Sequence, residues 1–241
     1  MSAILRTGEV AQQRKMQWLS CACYLFTAVL LIPAAWLQHA ASLQRWVTLA
    51  DSEPANILIA EDHLYDYFFP TDTWVNYGTV TAQYSLAALL LMIGMISLTL
   101  GVLLQTKVAP KQRILLECSL SAVVVAWFGI SSLHVYLSGI TGNPSVMQHW
   151  GILGALATIA GAALAILWWG RAPVAALGSC LLMGSTVVGY MIAFVVFAPI
   201  FAGYISHDTT PWTESVVAAT TAVAALAAIL AAVLALRKQR A

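Results

Sequence analysis

Charge is what this sequence has least of: 9% of its residues are Asp, Glu, Lys or Arg, where water-soluble domains carry about a quarter. With 61% of the residues hydrophobic, the chain has too little polar surface to cover a water-soluble core, and soluble hydrolase or kinase readings drop out. Basic residues are not in surplus, since eleven Lys and Arg face ten Asp and Glu, so nothing suggests a nucleic-acid partner. Cysteine is scarce as well. Cys21, Cys23, Cys118 and Cys180 all fall in the halves of apolar runs expected to face the cytoplasm, which argues against a disulfide framework. Cys21 and Cys23 form a C-x-C pair, but residues two apart on a helix point about 200° away from each other, so buried thiols are the better reading than a shared metal. The sequence contains no P-loop, dinucleotide fingerprint, nucleophile elbow or zinc-protease helix. A cleavable signal is not expected either, because Lys15 is followed by a full-length apolar run without a small-residue cleavage site.

What is abundant is long apolar sequence. A helix needs about 20 apolar residues to cross a hydrocarbon layer of roughly 30 Å, and six such runs stand at 17–38, 79–105, 114–137, 150–169, 176–203 and 215–236. The expectation is an all-α integral membrane bundle of six transmembrane helices, one domain over residues 1–241. Arg6, Arg14, Lys15, Lys107, Lys111, Arg113, Arg171, Arg237, Lys238 and Arg240 fall on one side of this layout. Asp51, Glu53, Glu61, Asp62, Asp66, Asp72, Asp208 and Glu214 fall on the other, with Arg45 as the lone base there. Lys and Arg of short loops stay cytoplasmic, so a multi-pass protein of the inner (plasma) membrane with both termini inside is predicted.

Pro33 and Pro199 lie inside runs and are expected to kink them. Ala157, Gly161 and Ala165, and likewise Ser185, Gly189 and Ala193, recur every four residues, which lets helix backbones approach closely in lipid. Glu117 follows Arg113 by four residues and should pair with it at the cytoplasmic interface.

The segment 39–78 is the one long loop. Ile57, Leu58, Leu64, Tyr65 and Phe68 recur at helical spacing, predicting an amphipathic helix on the outer face. Tyr65, Tyr67, Phe68, Phe69, Trp74 and Tyr77 are expected to form an interfacial aromatic belt after it.

Every histidine belongs to the outer side: His39, His63, His134, His149 and His207. Imidazole suits copper, zinc and iron, so His134, His149 and His207, at successive outer helix ends, are the first candidate metal ligands. Asp62, His63 and Asp66 are the second set, one helical turn wide with oxygen and nitrogen donors.

The stretch Asp66-Tyr67-Phe68-Phe69-Pro70-Thr71-Asp72-Thr73-Trp74 leading into a span, the six-span order, and outer-end histidines such as His149-Trp150 resemble the integral membrane subunits of the copper membrane monooxygenases. That resemblance implies a subunit of a multi-subunit oxidoreductase acting on methane, ammonia or a short alkane. It also implies other membrane subunits and a periplasmic copper-binding subunit as partners, and copper held at His134, His149 and His207. The family's Asp or Asn one turn before a ligand histidine is replaced here by Ile130, Ser145 and Gly203. Haem in place of copper, or no cofactor at all, are the alternatives. A non-catalytic accessory subunit of a respiratory complex, or a small-molecule permease, is the other functional reading.

Overall fold

The computed structural model describes residues 2–49, 60–105 and 110–237, with side chains from Gln12 onward. Among these residues the structure is helical and contains no strand. Helix α1 (Ser2–Leu43) runs into a π turn, Gln44–Leu49. Helices α2 (Val80–Leu104) and α3 (Lys111–Thr141) follow, then α4 (Gly151–Trp169) after a 3-10 turn at Val146–Trp150. The next run is divided into α5 (Pro173–Leu182), α6 (Val187–Ile192), a π turn at Ala193–Phe197, and α7 (Ala198–Ala202). Helix α8 (Thr213–Arg237) completes the bundle. Neighbours in sequence are neighbours in space, and α1 packs against both α2 and α8, so the bundle closes into a ring.

Among the described residues, five helices are long and apolar enough to cross a membrane, six if the bent pair Pro173–Ser185 and Val187–Ala202 is one span. The chain is a multi-pass membrane protein. Its outward surface agrees, for Trp36, Leu115, Ile152, Ile166, Phe201 and Leu226 point away from the bundle. A large apolar side chain is stable in that position only against lipid or a partner.

Five of the six expected runs fall on continuous helices. The fifth, 176–203, does not. It turns by 76° between Ser185 and Thr186, and the bend is not at a proline. Pro33 sits inside the unbroken α1, and Pro199 lies at the start of α7, where a missing N–H costs nothing. The bend comes instead from Gly184-Ser185-Thr186. Thr186 leaves the helical region at φ −109°, ψ 168°, and its hydroxyl accepts from the Gly189 amide to begin a new helix. Gly189 is required there, because a Cβ would lie 1.9 Å from the Met183 carbonyl oxygen.

The small-residue stripe of α4 packs inside the bundle. A Cβ on Gly161 would meet the Met183 side chain, and one on Gly154 would meet Val187 and Trp127. The expected amphipathic helix falls partly outside the described residues, at Ile57 and Leu58. Of its described residues, Ala60 and Glu61 are helical and His63–Tyr65 form a 3-10 turn. The aromatic stretch after it is not an interfacial belt. Tyr67, Phe68 and Trp74 are buried, and the segment dips into one end of the ring. Phe68 lies 4.3 Å from Tyr190, and Phe69 5.3 Å from Trp127, centroid to centroid. Aromatic rings in such tilted and stacked pairs gain contact energy beyond area burial, so a sequence that reads as membrane-surface aromatics serves as a plug.

Candidate functional site: the buried polar network around Arg45

Arg45 lies in the π turn that ends α1 and is completely buried. A guanidinium out of water is stable only if its donors and charge are matched. Its Nε donates to the Ala60 carbonyl at 2.7 Å and its Nη2 to the Asp62 carbonyl at 3.1 Å. Its Nη1 donates to Glu214 Oε1 at 2.8 Å and to Asp66. The second oxygen of Glu214 accepts from Trp46 Nε1 at 2.7 Å, and the Tyr190 hydroxyl donates to the first at 3.3 Å. Asp66 also accepts from the Thr209 hydroxyl at 2.8 Å. Two carboxylates therefore face one guanidinium: Glu214 is buried with Arg45, and Asp66 is about one-third exposed.

Further out, Glu61 fastens the loop after α7. Its carboxylate accepts from the Tyr204 hydroxyl and, at 2.7 Å, from Ser206, while its carbonyl accepts from the Thr209 amide at 2.9 Å. Burial and the adjacent Glu61 carboxylate push the Tyr204 phenol up to about 12. Tyr67 and Tyr77, beside the network, are held well above the ordinary phenol range, first by burial and then, among other charges, by Glu214. The buried hydroxyls of both have no hydrogen-bond partner among the described residues.

Deeper in, the network meets the 76° bend. Trp127 Nε1 donates to the Ser185 carbonyl at 3.0 Å, satisfying a backbone group that the bend releases. Gln38 Nε2 donates to Ser185 Oγ at 3.0 Å, which lies 3.5 Å from Thr221 Oγ1. The Thr158 and Thr186 hydroxyls are 2.7 Å apart. Gln38 Oε1 is buried and accepts nothing. Leu31, Leu91, Met95, Leu98, Leu164 and Leu182, all fully buried, fill the bundle beyond.

The expected metal ligands are distributed differently from the sequence reading. His134 lies within α3 and is buried, with both ring nitrogens engaged. Its Nε2 is 2.8 Å from the Pro70 carbonyl, which only accepts, so Nε2 carries the proton; Nδ1 accepts from Ser145 Oγ at 2.8 Å. The imidazole ties the aromatic plug to the start of α4. His149 and His207 are exposed, and the donor atoms of His134, His149 and His207 are not gathered into one group. Of the second set, Asp62 and His63 do come together, but with Asp208, the donor atoms of the three lying within 4.8 Å of one another. Asp66 is committed to Arg45 instead. His39 Nδ1 donates to Ser215 Oγ at 3.1 Å, which in turn donates to Ser42. Cys21, Cys23, Cys118 and Cys180 are free thiols.

Sequence reasoning left Arg45 a solitary outer base and Glu214 an ordinary outer acid. Their pairing spans 169 residues of chain, which no local spacing reveals. Gly184-Ser185-Thr186 inside an apolar run was the available signal for the bend, since Ser and Thr favour N-caps. Comparison with protein-family models, with curated proteins and with solved structures finds no match to this chain.

Proposed function

We propose that the protein is a permease-type carrier of the plasma membrane that accepts a small cation or cationic solute from the outer side. It crosses the membrane six times, the bent pair counting as one crossing, with both termini cytoplasmic as the Lys and Arg distribution favours. The observation that carries the reading is the surplus carboxylate beside oxygens without partners. Glu214 and Asp66 outweigh Arg45, the Tyr67 and Tyr77 hydroxyls beside them are buried without a partner among the described residues, and Gln38 Oε1 is likewise unsatisfied deeper in, at the bend. Ionisable groups buried in a membrane protein mark solute and ion pathways by default. A discontinuous helix at the end of such a path is the recurrent form of a carrier's binding site. Glu61, Asp66, Arg45, Glu214 and Gln38 supply the polar steps from the outer surface to the bend, and the leucine layer beyond closes the inward route.

The test is uptake by the full chain in liposomes, with radioactive sodium and with methylammonium as probes. At least one should accumulate above protein-free liposomes, and Gln38→Leu, which leaves the ion pairs intact, should reduce it at least tenfold. Uptake equal to empty liposomes for both probes overturns the reading.

The monooxygenase-subunit reading keeps one specific observation, the outer triangle of Asp62, His63 and Asp208. One imidazole and two carboxylates are an oxygen-rich set that suits harder divalent cations better than copper, which places this reading second. It requires copper to co-purify with the protein and with neighbouring membrane and periplasmic subunits. Isolation of the chain free of copper and free of partners sinks it.

A further inference from the structure

The opposite end of the ring carries a cavity with basic side chains on its wall. About 400 Å³ in volume, it lies between the start of α5 and the end of α8, within the size range of small-ligand sites. Arg171 and Arg237 line it from two sides, with Gln105 and Tyr24 on its wall. Glu117 is fully buried on α3 and accepts from Arg113 Nε at 3.1 Å and from Arg171. Two guanidiniums thus share one carboxylate, and Arg237, exposed at the end of α8, adds a further basic side chain to the cavity wall. The first turn of α5, Pro173 to Ala175, also lines the cavity, and its N-cap residue, Ala172, offers no side-chain cap. Opening amides of a helix lack intrahelical partners and carry the positive end of the dipole. Tyr24 is fully buried and lines the same space. Its hydroxyl lies near Ser20 and Arg171 but has no partner in full hydrogen-bond geometry among the described residues. The remaining wall, Val174, Ala231, Leu234 and Ala235, is apolar.

We propose that this cavity binds the phosphate of an anionic phospholipid, with Arg237, the α5 amides and the Tyr24 hydroxyl receiving the headgroup and the apolar wall receiving the upper part of an acyl chain. Basic pockets between helices at the membrane interface are suited to such headgroups. A free phosphate ion would use the polar half alone. A lipid uses both.

Thermal unfolding of the purified full-length protein in neutral detergent separates the sources. Added phosphatidylglycerol should raise the midpoint by several degrees, because a ligand bound only by the folded state stabilises it by mass action. Phosphatidylcholine of the same chain length, and inorganic phosphate, should not. Arg237→Gln and Tyr24→Phe should each keep the ligand-free midpoint within about a degree and weaken the phosphatidylglycerol response severalfold. Arg171 is left unchanged because it also neutralises Glu117. Equal shifts from phosphatidylcholine, an equal shift from inorganic phosphate alone, or an undiminished response in both variants overturns the proposal.

Discussion

Arg45 and Glu214, at opposite ends of the chain's path through the ring, meet at 2.8 Å in an interior from which water is excluded. The pair closes α1 onto α8, and Asp66 brings the aromatic plug into the same contact. Removing one partner of a buried ion pair leaves an uncompensated charge and costs about 3–5 kcal/mol. Arg45→Ala, which strands two carboxylates, should therefore unfold more readily in denaturant than Glu214→Gln. The double variant Arg45→Met/Glu214→Leu should recover part of the loss. A double variant less stable than Arg45→Ala alone would show that the pair is not the fastening point.

The bend offers a sharper contrast between two glycines. A Cβ at Gly189 would collide with backbone at Met183, which cannot move aside, whereas one at Gly170 meets nothing within 4 Å. Gly189→Ala should lower stability by about 1–3 kcal/mol, as overpacking does. Gly170→Ala should be neutral or slightly stabilising by unfolding midpoint. Equal midpoints for the two variants would mean that the Ser185–Thr186 bend is not a fixed feature.

Trp127 is expected to matter through its nitrogen rather than its size. Trp127→Phe keeps an aromatic ring but leaves the Ser185 carbonyl without its donor, and an unsatisfied buried acceptor costs about 1–3 kcal/mol. Backbone amide exchange in 183–190 should accelerate in this variant while that of α2 is unchanged. Uniform acceleration over the bundle would assign Trp127 a packing role alone.

The tyrosines at the Arg45 end of the ring predict an alkaline transition. A phenol whose folded pKa is raised stabilises the fold while neutral, so its contribution is complete below about pH 10. It is lost as pH climbs through the folded value, about 12 for Tyr204. Phenolate absorbance should show Tyr67, Tyr77 and Tyr204 ionising later than the accessible tyrosines, and Tyr204→Phe should remove one late group. Titration of all eight tyrosines in a single step near pH 10 would contradict the burial of the plug.

Sidedness is open to a direct chemical measurement. Asp72 and Lys111 are both exposed and lie at opposite ends of the ring. In a background with the native cysteines changed to serine, Asp72→Cys should react with an impermeant maleimide in intact cells. Lys111→Cys should react only after lysis. The reverse pattern would invert the proposed orientation.

The placement of the helices was legible because hydropathy reports it directly. The expected runs at 79–105 and 150–169 differ from α2 and α4 by only a residue at either end. The Arg113–Glu117 pair was legible too, being one turn apart on a helix, but not the burial of Glu117 or its second partner Arg171. Those depend on how α3 meets the turn after α4. The histidines misled for a related reason. Position along a helix fixes depth, not facing, and His134 turns inward to Pro70 and Ser145 rather than toward His149 or His207. The site is made of long-range pairs, and a single sequence carries no record of them.

The bend at Ser185–Thr186 also sets an order of assembly. Neither Pro173–Ser185 nor Val187–Ala202 has the roughly 20 residues a helix needs to cross the bilayer by itself. The released carbonyl is satisfied by Trp127, and Gln38 reaches the Ser185 side chain, so both partners come from helices synthesised earlier. The segment can therefore enter the bilayer as one straight helix but can fold at its joint only once α1 and α3 are in place.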